Sequence, residues 1–132
     1  MKHAAAGVFT ADGDSLEPEA WRYVGDPGEP DFVDGSEAAA TPLAALGGLR
    51  FYRLSGRVHV EGVAAITPPG VLFTLPAGYR PEFYVNEHHC ESVSDDGMTS
   101  GEAAVLIAPD GAVGVTSADE ANVSVRLDFR AA

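Results

Sequence analysis

From Leu49 onward the chain alternates apolar and polar positions with a period of two. In "LRFYRL", Leu49, Phe51 and Arg53 share one face, with Tyr52 and Leu54 on the other. "RVHVEGV" sets Val58 and Val60 inward against Arg57, His59 and Glu61 outward. Ser55-Gly56 between the two runs is a tight-turn signal and predicts a hairpin. "VLFTL" follows Pro68-Pro69-Gly70 as a further strand. "EFYVNEH" comes next, with Phe83 and Val85 expected opposite Tyr84. "EAAVLIA" and "AVGVTS" flank Pro109-Asp110-Gly111, a strong turn signal, and "SDDG" at Ser94–Gly97 is a simpler turn. "NVSVRLDF" alternates Val123, Val125, Leu127 and Phe129 against Ser124, Arg126, Asp128 and Arg130. About seven short strands with a turn every 8–12 residues are the pattern of an all-β sandwich or barrel. The absence of a long helical pattern excludes alternating strand–helix folds. The expectation is an antiparallel, jelly-roll-like β-sandwich spanning residues 49–132. Exposed sheet edges would gain by trimerising.

The first third reads differently. Residues 1–20, with "ADGDSLEPEA" at their centre, carry neither period and are expected to form an extended acidic arm. Residues 21–48 form a lead-in segment in which Trp21, Tyr23 and Phe32 are spaced by the turn-forming "GDPGEP". Aromatic side chains are preferred anchors at interfaces, so these three and Phe9 of the arm are the assembly candidates. "SEAAATPLAAL" could start a short helix capped by Ser36 and broken by Pro42.

Composition narrows the function classes. The chain has 132 residues, which favours one domain, and a net charge of −12. Residues 1–46 hold nine carboxylates and two basic groups, net −7, so acidity is concentrated towards the start. Such a charge excludes nucleic acid as a partner, because phosphate binding needs a basic face. It also argues against docking on anionic lipid. One cysteine, Cys90, permits no intrachain disulfide. "MKHAAAGVF" lacks a long apolar core and no apolar run reaches the roughly 20 residues of a membrane span. The reading is therefore a chain made in the cytoplasm, without membrane insertion.

"GRVHVEGV", then "VLFTLPAGYRP", then a hairpin with Val105, Ile107, Asp110, Gly111 and Val113, and finally "VSVRLDFR", together resemble a domain at the C-terminal ends of minor tail and tail-fibre proteins of tailed phages of actinobacteria. The upstream "WRYVGDPGEPDF" is similar to that family's lead-in. The resemblance covers roughly residues 21–130, and its most specific element is Leu-Pro-Ala-Gly-Tyr-Arg-Pro after a strand. Two departures stand out. About 20 residues precede Trp21 where the family carries a long attachment part, and the Ala-rich "VDGSEAAATPLAALGG" replaces a polar, aromatic run. The resemblance implies a short stand-alone virion protein, non-enzymatic, trimeric and displayed on the particle. A minor tail or tail-tip subunit is favoured, with a capsid decoration or head-fibre protein bound to the major capsid shell as the alternative. Its partners would be its own copies, other tail or capsid proteins, and a host surface glycan or protein. Loops Val93–Gly101 and Thr116–Ala121 are the candidates for host contact.

Candidate chemistry is sparse. In "NEHHCE", His88 and Cys90 share a strand face while His89 points away, and His59 could join them. Zinc needs three or four convergent ligands, and this spacing matches no metal motif, so no cofactor is expected. A small metal-dependent enzyme centred on His88, His89 and Cys90 is the remote alternative. "DGDSLEPE" lacks the glycine and the bidentate glutamate of a calcium loop. No G-x-S-x-G elbow appears, and with 20 acidic residues the nearness of two carboxylates means nothing. Pro76 and Pro81 bracket a stiff corner in which Gly78 is expected to take a positive φ. Tyr79 would fold back onto the domain, and Arg80 would pair with a carboxylate.

Overall fold

A computed structural model describes residues 20–132. Phe9 and nearly all of the expected arm lie outside the described residues. The strands are β1 (Arg22–Tyr23), β2 (Glu37–Ala38), β3 (Arg50–Leu54), β4 (Arg57–Ala65), β5 (Gly70–Thr74), β6 (Val85–Val93), β7 (Ser100–Ile107), β8 (Ala112–Ala118) and β9 (Asn122–Arg130). They form an antiparallel sheet in the order β1-β3-β4-β9-β6-β7-β8-β5, with β2 on the far end of β4. Among the described residues the only helical element is a 3₁₀ turn, Leu43–Leu46.

Side-chain alternation explains the curl. The inward positions of the long strands are almost wholly buried: Val58 and Val60 on β4, Val105 and Ile107 on β7, Val113 and Val115 on β8, Val123 and Val125 on β9. These β-branched residues suit a pleated, buried face. One core cluster joins them to Phe51, Leu72, Phe73 and Leu75. The sheet bends until its two ends meet by side-chain packing, and Phe51 of β3 stacks on Phe73 of β5 at 5.7 Å. The result is a curled half-barrel, which bears out the all-β expectation.

Turn chemistry sets the register. Ser55 and Gly56 both have positive φ, 49° and 78°, as a two-residue hairpin loop between right-twisted strands requires. Leu54 therefore opposes Arg57, and the pairs Tyr52–His59 and Arg50–Glu61 follow.

The lead-in segment is woven into this fold. It supplies β1 and β2 and buries Val24, Ala39 and Leu43. The expected helix capped by Ser36 does not form. The buried Ser36 hydroxyl instead donates to the Leu72 carbonyl at 2.9 Å, and the next two residues become β2. Pro42 then stands immediately before the 3₁₀ turn.

Candidate contact surfaces

The Leu-Pro-Ala-Gly-Tyr-Arg-Pro run crosses the end of the half-barrel where the two sheet ends meet. Pro76 has no N–H and cannot extend β5. The Leu75 N–H donates to the Gly111 carbonyl at 2.8 Å, and the Tyr79 N–H closes a turn onto the Pro76 carbonyl at 3.1 Å. Gly78 has φ 91°. Tyr79 then folds inward, its ring edge-on to Phe51 at 5.3 Å. Arg22 sits over both rings, 5.1 Å from the Phe51 centroid and 5.0 Å from that of Tyr79. It also pairs with Glu29 at 2.8 Å. Burial alone would lower the proton affinity of this guanidinium, but bonds to Tyr79 and Glu29 outweigh it and raise the pKa.

Arg80 departs from the expected ion pair. Its Nε donates to the Leu75 carbonyl at 2.8 Å. The reason is a glycine: a Cβ on Gly111 would lie 2.8 Å from Arg80 Nε, so only glycine leaves the guanidinium room to reach back. Pro81 is buried and bridges Ala131, while the Ala132 N–H donates to the Arg80 carbonyl at 2.8 Å. The corner is thus fixed to β5, β9 and the β7–β8 turn together.

Beyond Pro81 the chain bows outward. The expected strand from Glu82, with Phe83 and Val85 opposite Tyr84, does not form at its start, because Pro81 is tied to the end of β9 and β6 begins only at Val85. Phe83 and Tyr84 are left 75% and 66% exposed. They border a cleft of about 640 Å³ that is also lined by Arg53, Pro81, Phe129 and Arg130. Sequence reasoning missed this pair. Pro81, which ends the corner, was the signal that Phe83 would not join a regular strand.

Trp21 and Tyr23 lie on the outer face of β3 and β4. Trp21 meets Tyr52 edge-on at 4.4 Å, and Tyr52 stacks on His59 at 4.8 Å with an interplanar angle of 11°. Arg50 lies over Trp21 at 4.0 Å, donates to the Tyr23 hydroxyl at 3.1 Å and pairs with Glu61 at 2.9 Å. Tyr52 and His59 spend facing ring surfaces on each other and Arg50 covers Trp21, so this ladder fastens β1 to the sheet rather than presenting a flat platform for sugar. Phe32 packs against the main core and touches Gly25. All three lead-in aromatics therefore pack within the domain.

The His-His-Cys stretch lies inside β6, not at a strand end. Glu87 opposes Val105 and Cys90 opposes Ala103, so residues 88 and 89 together face Ala104 in a bulge. Simple alternation of the backbone does not carry across it, and the side chains of His88 and His89 lie outside what the structure describes. Among the described residues no group of three metal-ligating side chains converges. Cys90 is buried, and desolvation raises its thiol pKa, opposed by a hydrogen bond to the Arg126 backbone and assisted by the Glu87 charge. A thiol so held is a poor nucleophile near neutral pH.

The two loop candidates for host contact sit at the opposite end of the sheet from the cleft and are laced together. Asn122 Nδ2 donates to Asp95 Oδ1 at 2.9 Å, and the Glu120 N–H donates to the Ser92 hydroxyl at 3.2 Å. The Glu102 N–H is held by the Asp119 carboxylate at 2.9 Å. Asp96 accepts from the Met98 N–H and from Ser94, which lowers its pKa. Thr116 and Ser117 belong to β8, so this loop is shorter than expected.

Comparison with protein-family models, with curated proteins and with solved structures found no match to the chain.

Proposed function

We propose that the chain is a non-enzymatic contact module, a homotrimeric, two-layered β-sandwich subunit displayed on the surface of a tailed-phage particle and built into the tail tip. The resemblance in the strands and in the Leu-Pro-Ala-Gly-Tyr-Arg-Pro corner supplies the particle. The observation that carries the contact role is the mounting of Phe83 and Tyr84. A large exposed apolar pair beside a cleft marks an interaction site. Here it stands on the corner that Arg80, Pro81 and Tyr79 lock to three parts of the sheet. A contact surface on a rigid support loses little entropy on binding. In this reading the corner holds the pair in place and a neighbouring virion protein or a second copy fills the cleft.

The test is incorporation. Phe83→Ser/Tyr84→Ser should leave urea stability within about 0.5 kcal/mol, since both side chains are exposed. The same variant should be lost from purified particles of the phage that carries the chain. A particle fraction free of the wild-type chain, or a double variant present at wild-type copy number, would sink the reading. Gold-labelled antibody then separates tail tip from capsid shell.

A further inference from the structure

The outer surface of the sheet is divided. On β3, β4 and β9 it carries Arg50, Arg57, Glu61, Arg126, Asp128 and Arg130. On β5, β8 and β7 it holds an apolar groove. Val71 opposes Gly114, and Gly114 opposes Leu106, which alternates with buried Val105 and Ile107. Val71 and Leu106 are thus two ridges with Gly114 on the floor between them. The groove has a volume of about 330 Å³, and among the described residues no ionisable side chain lines it.

The fold does not ask for a glycine on that floor. Gly114 has no positive φ, and a Cβ on it would meet nothing nearer than the Gly70 carbonyl oxygen at 3.6 Å, an ordinary contact. Gly62 and Gly111 differ, since an added Cβ would strike backbone oxygens at 2.3 and 2.5 Å. A glycine inside a strand weakens it and often marks the close approach of a ligand or another chain. Here it keeps the groove open to the outside.

The same chain carries a matching knob in the exposed pair Phe83 and Tyr84. A copy cannot fill its own groove with it. The pair leans to the β9 side of β6, against Phe129 and Arg130, while the groove lies beyond β7 on the other side. A knob and a pocket at different places on one surface make a head-to-tail contact, which becomes a ring when the rotation closes. Copies that each carry a net charge of −12 repel one another, and a groove without ionisable groups adds nothing to that repulsion.

We propose that Phe83 and Tyr84 of one copy seat in the Val71–Gly114–Leu106 groove of the next, three such contacts closing the homotrimer. This rests on the trimer of the reading above and names the surface that holds it. Aromatic side chains seated in a pocket are the usual anchors of an interface. The next copy's sheet then lies over the cleft beside Phe83.

The experiment weighs the full chain by sedimentation equilibrium. Wild type is expected at three times the 13.7 kDa of one chain. Phe83→Ser/Tyr84→Ser removes the knob, and Gly114→Thr fills the groove with a strand-favouring side chain. Each variant alone should associate roughly 30-fold or more weakly, the effect of losing an interface anchor. Mixed in equal amounts, they should form a dimer of one copy of each, because the Gly114→Thr copy keeps the pair and the double variant keeps the groove. Gly114→Ala guards against a folding defect: its single methyl group meets only ordinary contacts, so it should weaken association without lowering the urea midpoint of the monomer. A trimer that survives Gly114→Thr, or a mixture that stays monomeric, overturns the contact and leaves the homotrimer to another surface. A wild-type chain that stays monomeric at its highest soluble concentration removes trimer and contact together, while incorporation into particles is read separately.

Discussion

Gly111 is the position where the corner is most exposed to a single added methyl group. Its φ is 96°, a conformation that L residues avoid. A Cβ there would lie 2.5 Å from the Leu75 carbonyl oxygen and 2.8 Å from Arg80 Nε. Neither neighbour can yield without loss. The Leu75 carbonyl accepts the Arg80 bond, and the Leu75 N–H is bound to the Gly111 carbonyl. Gly111→Ala should therefore incur about 1–2 kcal/mol of backbone strain. It should also lose a backbone hydrogen bond worth about 1 kcal/mol and a bond from a charged donor worth about 1.5–3 kcal/mol. Arg80 is only half-buried and recovers some hydration, so the expected total is about 3–4 kcal/mol. Gly97→Ala is the control. Its φ is 77°, but the added Cβ would meet only Leu43 Cδ2 at 3.6 Å, an ordinary contact. Strain alone predicts about 1–2 kcal/mol there. With a urea m-value of about 1–3 kcal/mol/M, the two variants should differ in midpoint by roughly 1 M. A Gly111→Ala midpoint indistinguishable from that of Gly97→Ala would mean that the corner is not locked to the β7–β8 turn. The preorganisation argument for Phe83 and Tyr84 would go with it.

Arg22→Met should destabilise by about 1–2 kcal/mol, since it removes the Glu29 pair and the cation over Phe51 and Tyr79; a loss below about 0.3 kcal/mol in urea would show the guanidinium to be a passive cover. The Cys90 thiol should react with an aromatic disulfide reagent at pH 8 at least about 100-fold more slowly than in urea-unfolded chain, because burial raises its pKa. The raised folded value also sets a sign. Its contribution to stability is full below the unfolded thiol's pKa of about 8.5 and is lost as pH rises through the folded value, a decline that Cys90→Ser should abolish. Asp96 works in the opposite sense: its lowered pKa means the Ser94–Thr99 turn keeps its order above about pH 3.9 and loses it as pH falls through the folded value, which the Met98 amide shift should follow and Asp96→Asn should erase.

The strands were legible because two-residue alternation is a local signal that a curled sheet obeys wherever one face is buried. "RVHVEGV" and "NVSVRLDF" fell on β4 and β9, whose inward residues are buried in the main core. The signal failed where long-range ties override the period. Phe83 looked like a strand residue on the same face as Val85, but Pro81 is anchored to Ala131 and β6 begins only at Val85. Residues 87–90 looked like a regular strand end, but a bulge against Ala104 breaks the alternation. Ser36 looked like a helix cap whose oxygen would accept from helix N–H groups, but its hydroxyl turns inward between the Val33 carbonyl at 2.5 Å and the Leu72 carbonyl, 36 positions on, at 2.9 Å. Arg80 was assigned a carboxylate because sequence shows charge and not space. The space above Gly111 becomes visible only when the β7–β8 turn and the corner are brought together.

Edge protection bears on how such a sheet could self-associate. An all-β chain of this size gains by trimerising when unpaired strand edges would otherwise be exposed. Here β5, the last strand of the sheet, has its free edge occupied. The Val33 N–H and the Ser36 hydroxyl both donate to the Leu72 carbonyl, at 3.0 and 2.9 Å, and the Val71 N–H donates to the Asp34 carboxylate at 2.9 Å. At the other end, β1 offers only two residues. That leaves Tyr52–Leu54 of β3 beyond the reach of β1, and β6 and β9 pair with each other only over Glu91–Val93 and Asn122–Ser124. In the trimer proposed above, side chains can hold the copies together as well, and the cleft with Phe83 and Tyr84 is a surface of the right chemistry. In that proposal the corner has a second role beyond closing the half-barrel, since it decides where that surface points.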